Sequence, residues 1–386
     1  MQNDTLYQGV LEIIDRENFE KKLKSGKKLR VKFGIDPTAP DIHLGIAVAL
    51  RKMAQFQKMG HTIIFLIGDF TATVGDPSGV NKTRPILSDK EVAQNAKTYL
   101  EQAGKILDIK KIEVRKNSEW YRSMKLADFL KIKSFFTVQR ILERDDFEKR
   151  IKEGRDIRCH EIDYPILQAY DSIMLKSDLE IGGTDQKFNM LAGRKLMEKM
   201  GMQPQDIMTL QILVGTDGVK KMSKSQGNYI GITDAPKEMY GKIMSIPDSL
   251  ILDYINLCTD LNQGEIEKIK NPKDQKSRLA FEIVRNYHGE KIAKESEIEF
   301  GHIFREKGLP KEIPGVVVKK KSWQILDLLT ELRVFSSKSE AKRMINQNGV
   351  KVNQKVVNNQ FEKVDIGNGA VIQIGKRKFL RVKAGK

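Results

Sequence analysis

Cysteine is almost absent from this chain. Two in 386 residues, Cys159 and Cys258, far apart and outside any C-x-x-C pattern, exclude a disulfide framework and argue against a cysteine-built zinc site. A reducing cytosol suits such usage. No uncharged apolar run reaches the length of a membrane span; the best, residues 62–67, is strand-sized. Acidic residues Asp4, Glu12 and Asp15 interrupt the N-terminus, so no signal peptide and a cytoplasmic protein are expected. Internal repeats and low-complexity tracts are missing as well. The 40% apolar content is that of an ordinary soluble protein, and the length allows two or three domains.

Acidic charge is scarce in one place above all. The formal charge is +17, and residues 319–386 hold 16 Lys or Arg against 5 Asp or Glu, a net of +11. Charge alone reads equally as a solvated basic tail or as a phosphate-backbone binder. Folding signals favour the second reading, since a tail needs neither helix caps nor turns. Residues 322–332 read as an amphipathic helix. Ser337-Lys338-Ser339-Glu340 has capping-box spacing and opens another that ends before Gly349. Residues 350–352, 370–374 and 378–382 are short alternating strands around Asn and Gly turns.

The front of the chain alternates strand and helix. Residues 28–35 predict a strand, 45–59 an amphipathic helix stopped by Gly60, and 62–67 a buried strand, which together make a right-handed βαβ unit. A helix from Ser88 to about Leu107, a strand at 112–115, helices at 124–143, 164–177 and 188–200 and a strand at 207–214 continue the pattern. The expected fold is α/β: a doubly wound, Rossmann-like parallel sheet over residues 1–220, its ligands at the carboxyl ends of the strands. A loop and a polar helical domain over 221–307, a linker at 308–321 and a small α+β domain at 322–386 follow.

Two separated segments carry the chemistry. Pro37-Thr38-Ala39-Pro40-Asp41-Ile42-His43-Leu44-Gly45-Ile46 sets a His and a Gly where a strand turns into a helix, so that backbone N–H groups and the positive helix end meet phosphate. Lys221-Met222-Ser223-Lys224-Ser225 adds two lysines on a Gly-bounded loop. The first alone could be a histidine capping a helix. The pair resembles the nucleotide-handling signatures of class I aminoacyl-tRNA synthetases.

The resemblance sharpens elsewhere. Gly75-Asp76-Pro77-Ser78-Gly79, the run from Tyr164 through Gln168 to Asp171, and Gly182-Gly183-Thr184-Asp185-Gln186 are similar to the amino-acid pocket of the bacterial tyrosyl-tRNA synthetase family. Lys32-Phe33-Gly34 and Lys187-Phe188-Asn189 resemble its second-type branch. The segment from Phe335 to Ile345, with Gly349-Val350-Lys351-Val352-Asn353, looks like an S4 RNA-binding domain, with Lys338, Lys342 and Arg343 toward an RNA backbone.

Activation of an amino acid by ATP needs alignment, cations and donors around an in-line phosphoryl transition state, with no protein nucleophile. Thr38, His43, Arg84, Lys221 and Lys224 are of the right types, and the resemblance closes them over the β- and γ-phosphates. It also implies that Gly45, Ile46, Gly183, Asp185 and Ser223 line the nucleotide, with Asp185 accepting from a ribose hydroxyl. Magnesium would travel with ATP; no resident metal or prosthetic group is implied. For tyrosine it implies Gly34, Asp36, Asp76, Tyr164, Gln168, Asp171 and Gln186, with Asp171 on the phenol hydroxyl. Gln168 and Asp171, three apart, share a helix face. Expected partners are tyrosine, ATP, the tyrosine tRNA and a second copy of the chain, but no membrane.

Two positions depart from the family pattern. Ile46 stands where a second histidine is usual and can neither donate nor carry charge. Lys32 stands where many members have a tyrosine on the phenol. The first departure leaves open a synthetase-derived RNA-binding or regulatory protein with little catalysis. The S4-like segment and the lysine loop disfavour a small-molecule adenylyltransferase, and the S4-like segment and the Asp171 run disfavour a tryptophanyl enzyme.

Overall fold

A computed structural model describes residues 2–78, 88–305, 313–335, 337–367, 369–375 and 378–385. Its contacts divide the chain into two compact units, residues 1–235 with 242–287, and residues 236–241 with 288–386.

The first unit is built on a six-stranded sheet. In chain order its strands are β1 (Val10–Ile14), β2 (Arg30–Ile35), β3 (Thr62–Ile67), β4 (Glu113–Lys116), β5 (Leu179–Gly183) and β6 (Asp206–Leu210). Their spatial order is β1-β6-β5-β2-β3-β4, all parallel except the edge strand β1. The chain therefore runs outward from β2 through β3 to β4, then restarts at β5 and runs the other way to β6. Between β2 and β5 lies the switch point at which a doubly wound sheet leaves a crevice beyond its carboxyl ends. Central strands explain the apolar run at 62–67: every residue from Ile63 to Ile67 is buried, because helices cover both faces.

Three helices supply most of the groups that face this crevice. Helix α1 (Leu44–Lys58) follows β2, with its Leu44, Ala47, Leu50 and Met53 buried at helical spacing. Helix α2 (Cys159–Leu175) precedes β5, and α3 (Lys187–Lys199) follows it. Helix α2 starts five residues before the expected position, despite Pro165 inside it. Its first turn is fastened from outside: Arg158 N–H donates to Glu161 Oε2 at 2.8 Å, and Arg150 clamps the Glu161 carboxylate at 2.7 and 2.8 Å. The helix expected over 124–143 is two, Leu126–Lys133 and Val138–Leu142, because Phe135 and Phe136 turn into a neighbouring apolar cluster and the Thr137 side chain caps a new start. The strand expected over 207–214 ends at Leu210.

In the second unit, a small α+β body occupies the basic end of the chain. It contains β7 (Gly315–Val318), β8 (Ser322–Gln324), α4 (Ile325–Glu331), α5 (Lys338–Asn346), β9 (Val350–Val352), β10 (Lys355–Val357), β11 (Lys363–Asp365), β12 (Ala370–Ile374) and β13 (Lys378–Ala384). Five strands form one sheet in the order β10-β9-β12-β13-β7, and β8 pairs β11. The helix expected over 322–332 begins at Ile325, because residues 322–324 are drawn into that pairing, Trp323 opposite Val364. Ser337 caps α5 by accepting from Glu340 N–H at 3.2 Å. Ile325, Leu328, Leu329, Ala341, Ile345 and Ile372 close a core of this body's own. Lys338, Lys342 and Arg343 stay exposed on α5, away from its buried Ala341 and Ile345. Residues 308–312 of the expected linker lie outside the described residues, and Gly315 begins β7.

Candidate active site

Strand β2 delivers Asp36 one residue past its end, and β5 delivers Asp185 two residues past its own. Both flank the switch point. Asp36 accepts from Thr71 Oγ1 at 2.7 Å and from the Tyr164 hydroxyl at 2.9 Å. Thr71 in turn accepts from Asn117 Nδ2 at 2.9 Å, and Asn117, just beyond β4, also lies 3.4 Å from Asp171 Oδ2. On the other carboxylate oxygen Asp171 accepts from Trp120 Nε1 at 2.9 Å. Packed beside these groups are Trp120, Tyr121, Leu66, Leu167, Phe70 and Tyr170. The result is a buried carboxylate with fixed donors in an aromatic wall. Its burial pushes the Asp171 carboxyl up to about 6, against the opposing pull of the Lys32 ammonium and the surrounding donors.

A second network holds the other acceptors. Asp76 accepts from Gln186 Nε2 at 2.7 Å and from Ser78 N–H at 2.9 Å. Asn189 donates to Gln186 Oε1 at 3.1 Å and to Gln168 Oε1 at 2.9 Å, and Gln168 Nε2 donates to Glu180 at 3.2 Å. Lys32 is fully buried and pairs with Glu180 at 2.8 Å, directly across the β2–β5 register. It also donates to Ser172 Oγ at 2.9 Å and to the Gln168 carbonyl at 3.4 Å. The ammonium is thus occupied within the protein.

The nucleotide-type groups gather around the start of α1. His43 caps that helix with extended backbone, and its Nδ1 has no hydrogen-bond partner among the described residues. Burial, with the Lys224 and Lys221 charges adding to it, pushes its imidazole down to about 4, so it is neutral at pH 7. A Cβ on Gly45 would lie 3.1 Å from the His43 ring and 3.5 Å from Met222, so the glycine lets the two segments close on each other. Lys221 pairs with Asp185 and Lys224 with Asp41, each at 2.8 Å. Ser223 N–H donates to Asn228 Oδ1 at 2.9 Å, and Asn228 is buried beneath the loop. Thr38 N–H turns back on the Asp36 carbonyl at 2.8 Å. Gly183 leaves room for Asp185, whose Oδ1 a Cβ there would approach to 2.6 Å. Ile46 is half-buried in the first turn of α1, its N–H on the His43 carbonyl, and Gly34 is exposed near the end of β2.

Of the expected residues, those proposed for tyrosine and, Arg84 aside, those for ATP lie on β2, α1, α2, the end of β5 and the loops beside them in the first unit, while Lys338, Lys342 and Arg343 belong to the other unit. Arg84 falls outside the described residues. Thr71, Asn117, Trp120, Asn189 and Gly68 were missed. Asn117 and Trp120 follow β4, where a doubly wound sheet exposes its loops, and that position was the available signal. Gly68 carried none.

The family model for class I tRNA synthetases of the tryptophan and tyrosine type matches residues 24–305, and the S4 domain model matches residues 315–368. A tyrosine–tRNA ligase of Thermotoga maritima is 49% identical over 99% of this chain and 97% of its own length. Another, of Aquifex aeolicus, is 47% identical over 98% and 97%. The crystal structure of an Archaeoglobus fulgidus tyrosyl-tRNA synthetase with L-tyrosine shares the fold at a TM-score of 0.62 and 23% identity, covering 77% of this chain and all of that one.

Two outcomes test the geometry. On a reading that sets Asp171 against the phenol hydroxyl, the ionised carboxylate is the stronger hydrogen-bond acceptor, so kcat/KM for tyrosine should fall relative to that for phenylalanine as pH drops through about 6. A ratio flat from pH 8 to 5 contradicts the placement of Asp171. By linkage a raised folded value stabilises only in acid, so this carboxyl's contribution is present below its unfolded value and lost as pH rises through about 6. Gly68→Ala is the second: its Cβ would stand 2.0 Å from Asp36 Oδ1 and 2.3 Å from Thr71 Oγ1. The KM for tyrosine should rise roughly tenfold in the folded variant, and an unchanged KM removes Asp36 from the site.

Together the family matches and the near full-length likeness to curated relatives show that the chain belongs to the tyrosine–tRNA ligases of the class I aminoacyl-tRNA synthetases.

Proposed function

We propose that the chain activates tyrosine with ATP and passes the tyrosyl group to the terminal ribose of the tyrosine tRNA. One observation carries this reading: a buried, donor-fixed carboxylate lies in an aromatic wall, in the same crevice as a phosphate-type histidine and two lysines. A tyrosine carboxylate oxygen would attack the α-phosphorus, the bond to pyrophosphate would break, and a ribose hydroxyl would later displace AMP. Asp171 would take the phenol hydroxyl, and Asp76, Tyr164, Gln168 and Gln186, with Asp36 and Gly34 at the end of β2, would surround the rest of tyrosine. Phenylalanine brings no hydroxyl to this buried carboxylate and leaves part of its accepting capacity unfilled, a penalty for which tyrosyl-tRNA synthetases are themselves the standard illustration. With Lys32 bound to Glu180, the phenol's fixed neighbours are those of Asp171 alone.

His43, Thr38, Lys221, Lys224 and Arg84 would meet the phosphates, and Gly45, Ile46, Gly183, Asp185 and Ser223 would line the adenosine. Magnesium would come with the nucleotide, whose phosphate oxygens suit a hard cation that keeps its waters. The curated relatives lend no support to a regulatory protein without catalysis. The basic face of α5 would hold the tRNA backbone. Leu126, Leu130 and Val138, at 72%, 54% and 60% exposure, are exposed apolar side chains that a second copy of the chain would cover. No helix among the described residues is long and apolar enough to cross a membrane.

Tyrosine-dependent exchange of pyrophosphate into ATP by the purified chain checks the activity. Removal of residues 313–386 should leave that exchange within about twofold, while charging weakens and loses much of its dependence on salt. No exchange in the intact chain defeats the proposal; full charging by the truncated one defeats the role of the S4 domain.

A further inference from the structure

A buried cation outside both networks bears on them. Arg144 lies at the start of the helix Asp145–Lys152 and is 3% exposed. Its guanidinium donates to Ser78 Oγ at 2.9 Å, to Asn189 Oδ1 at 2.8 Å and to Asp146 at 3.0 and 3.4 Å, and it lies over the rings of Phe147 and Phe188. Asp146 balances its charge. The other two contacts reach different arms of one cage. Ser78 belongs to the loop whose N–H fixes Asp76, and Asn189 orients both Gln186 and Gln168. With Asn189 Oδ1 taken by Arg144, its amide group must point both N–H donors at the glutamines, so their free NH2 groups turn to Asp76 and Glu180. One planar fork thereby sets the amide orientation of three side chains.

We propose that Arg144 is a positioning residue for recognition of the α-ammonium of tyrosine, setting the acceptors of Asp76, Gln168 and Gln186 without touching the substrate. The inference rests on the proposed tyrosine site, with Asp76 and Gln168, beside Tyr164, as the acceptors for the ammonium and Gln186 bonded to Asp76 and Asn189 in the same cage. Lysine cannot replace the arginine, because a single ammonium does not span Ser78, Asn189 and Asp146 in one plane.

The test compares affinities for L-tyrosine and for 3-(4-hydroxyphenyl)propionate, which keeps the phenol and the carboxylate and lacks the ammonium. Both are titrated against the full chain by calorimetry. In Arg144→Lys, affinity for tyrosine should fall roughly 10- to 100-fold while that for the propionate changes by less than about twofold. A parallel loss for both ligands, or no loss for either, overturns the proposal. Ser78→Ala removes one hydroxyl only and serves where Arg144→Lys does not fold; it should lower the tyrosine-to-propionate ratio about threefold, and an unchanged ratio overturns the role. Asp76→Ala separates the two layers. If it leaves the ratio intact, the ammonium reading fails and the positioning role with it; if it collapses the ratio and Arg144→Lys does not, the positioning role alone is wrong.

Discussion

The buried pair between Lys32 and Glu180 joins the two strands on which the crevice depends. These residues stand opposite each other on β2 and β5, at the point where the winding of the sheet reverses. Neither charge meets water, so each must be satisfied inside: Lys32 by Glu180, Ser172 and the Gln168 carbonyl, Glu180 by Lys32, Gln168, Ser172 and Gln205. Deleting one partner of such a pair costs about 3–5 kcal/mol, since the other is left charged and dry. The pair is therefore better understood as a fixture than as a source of net stability. It fixes α2 against both strands, and α2 carries Tyr164, Gln168 and Asp171.

That fixture has an electrostatic consequence. The Asp171 carboxyl is raised by burial, and the nearby Lys32 charge pulls it back toward ionisation. A tyrosine at position 32 would offer a second hydroxyl to the phenol and no charge. The lysine instead favours the ionised form of Asp171, which on the proposed reading accepts a hydrogen bond from the phenol, while its own hydrogen bonds stay within the protein. On that reading the departure at this position replaces a hydroxyl contact with the Lys32 charge acting on Asp171.

Much of the architecture was legible because it rests on period and punctuation. Residues 62–67 read as a buried strand and fold as one, and the Ser337–Glu340 spacing opens α5 as its cap predicts. Errors fall where tertiary partners decide. Residues 322–324 carry a helical pattern but are claimed by β11, and β5 was overlooked because Gly182 and Gly183 weaken a strand signal while serving close packing. At the site, residues inside contiguous motifs could be named, and the groups that orient them could not. Asn117, Asn189 and Arg144 act across separations of 54, 21 and 45 residues, distances that no local pattern encodes.

The two loop lysines raise a final question of balance. Each is already paired with a carboxylate, Lys221 with Asp185 and Lys224 with Asp41, although on the proposed reading both serve phosphates. A free ammonium at this position would bind ATP strongly in the ground state, which lowers KM without accelerating the chemistry. Exchanging a carboxylate for a phosphate oxygen offsets much of that gain. What is left is the extra charge that develops on the departing pyrophosphate, an interaction the carboxylates cannot match and one realised only as the bond breaks. His43 fits the same logic: held neutral by burial and by the two lysines, it can donate a hydrogen bond to phosphate without adding a third cation to the ground state. With the Ile46 side chain contributing neither donor nor charge, the proposed reading makes an exchange of these two ion pairs for phosphate contacts a way in which the described part of the loop region would favour the transition state over bound ATP.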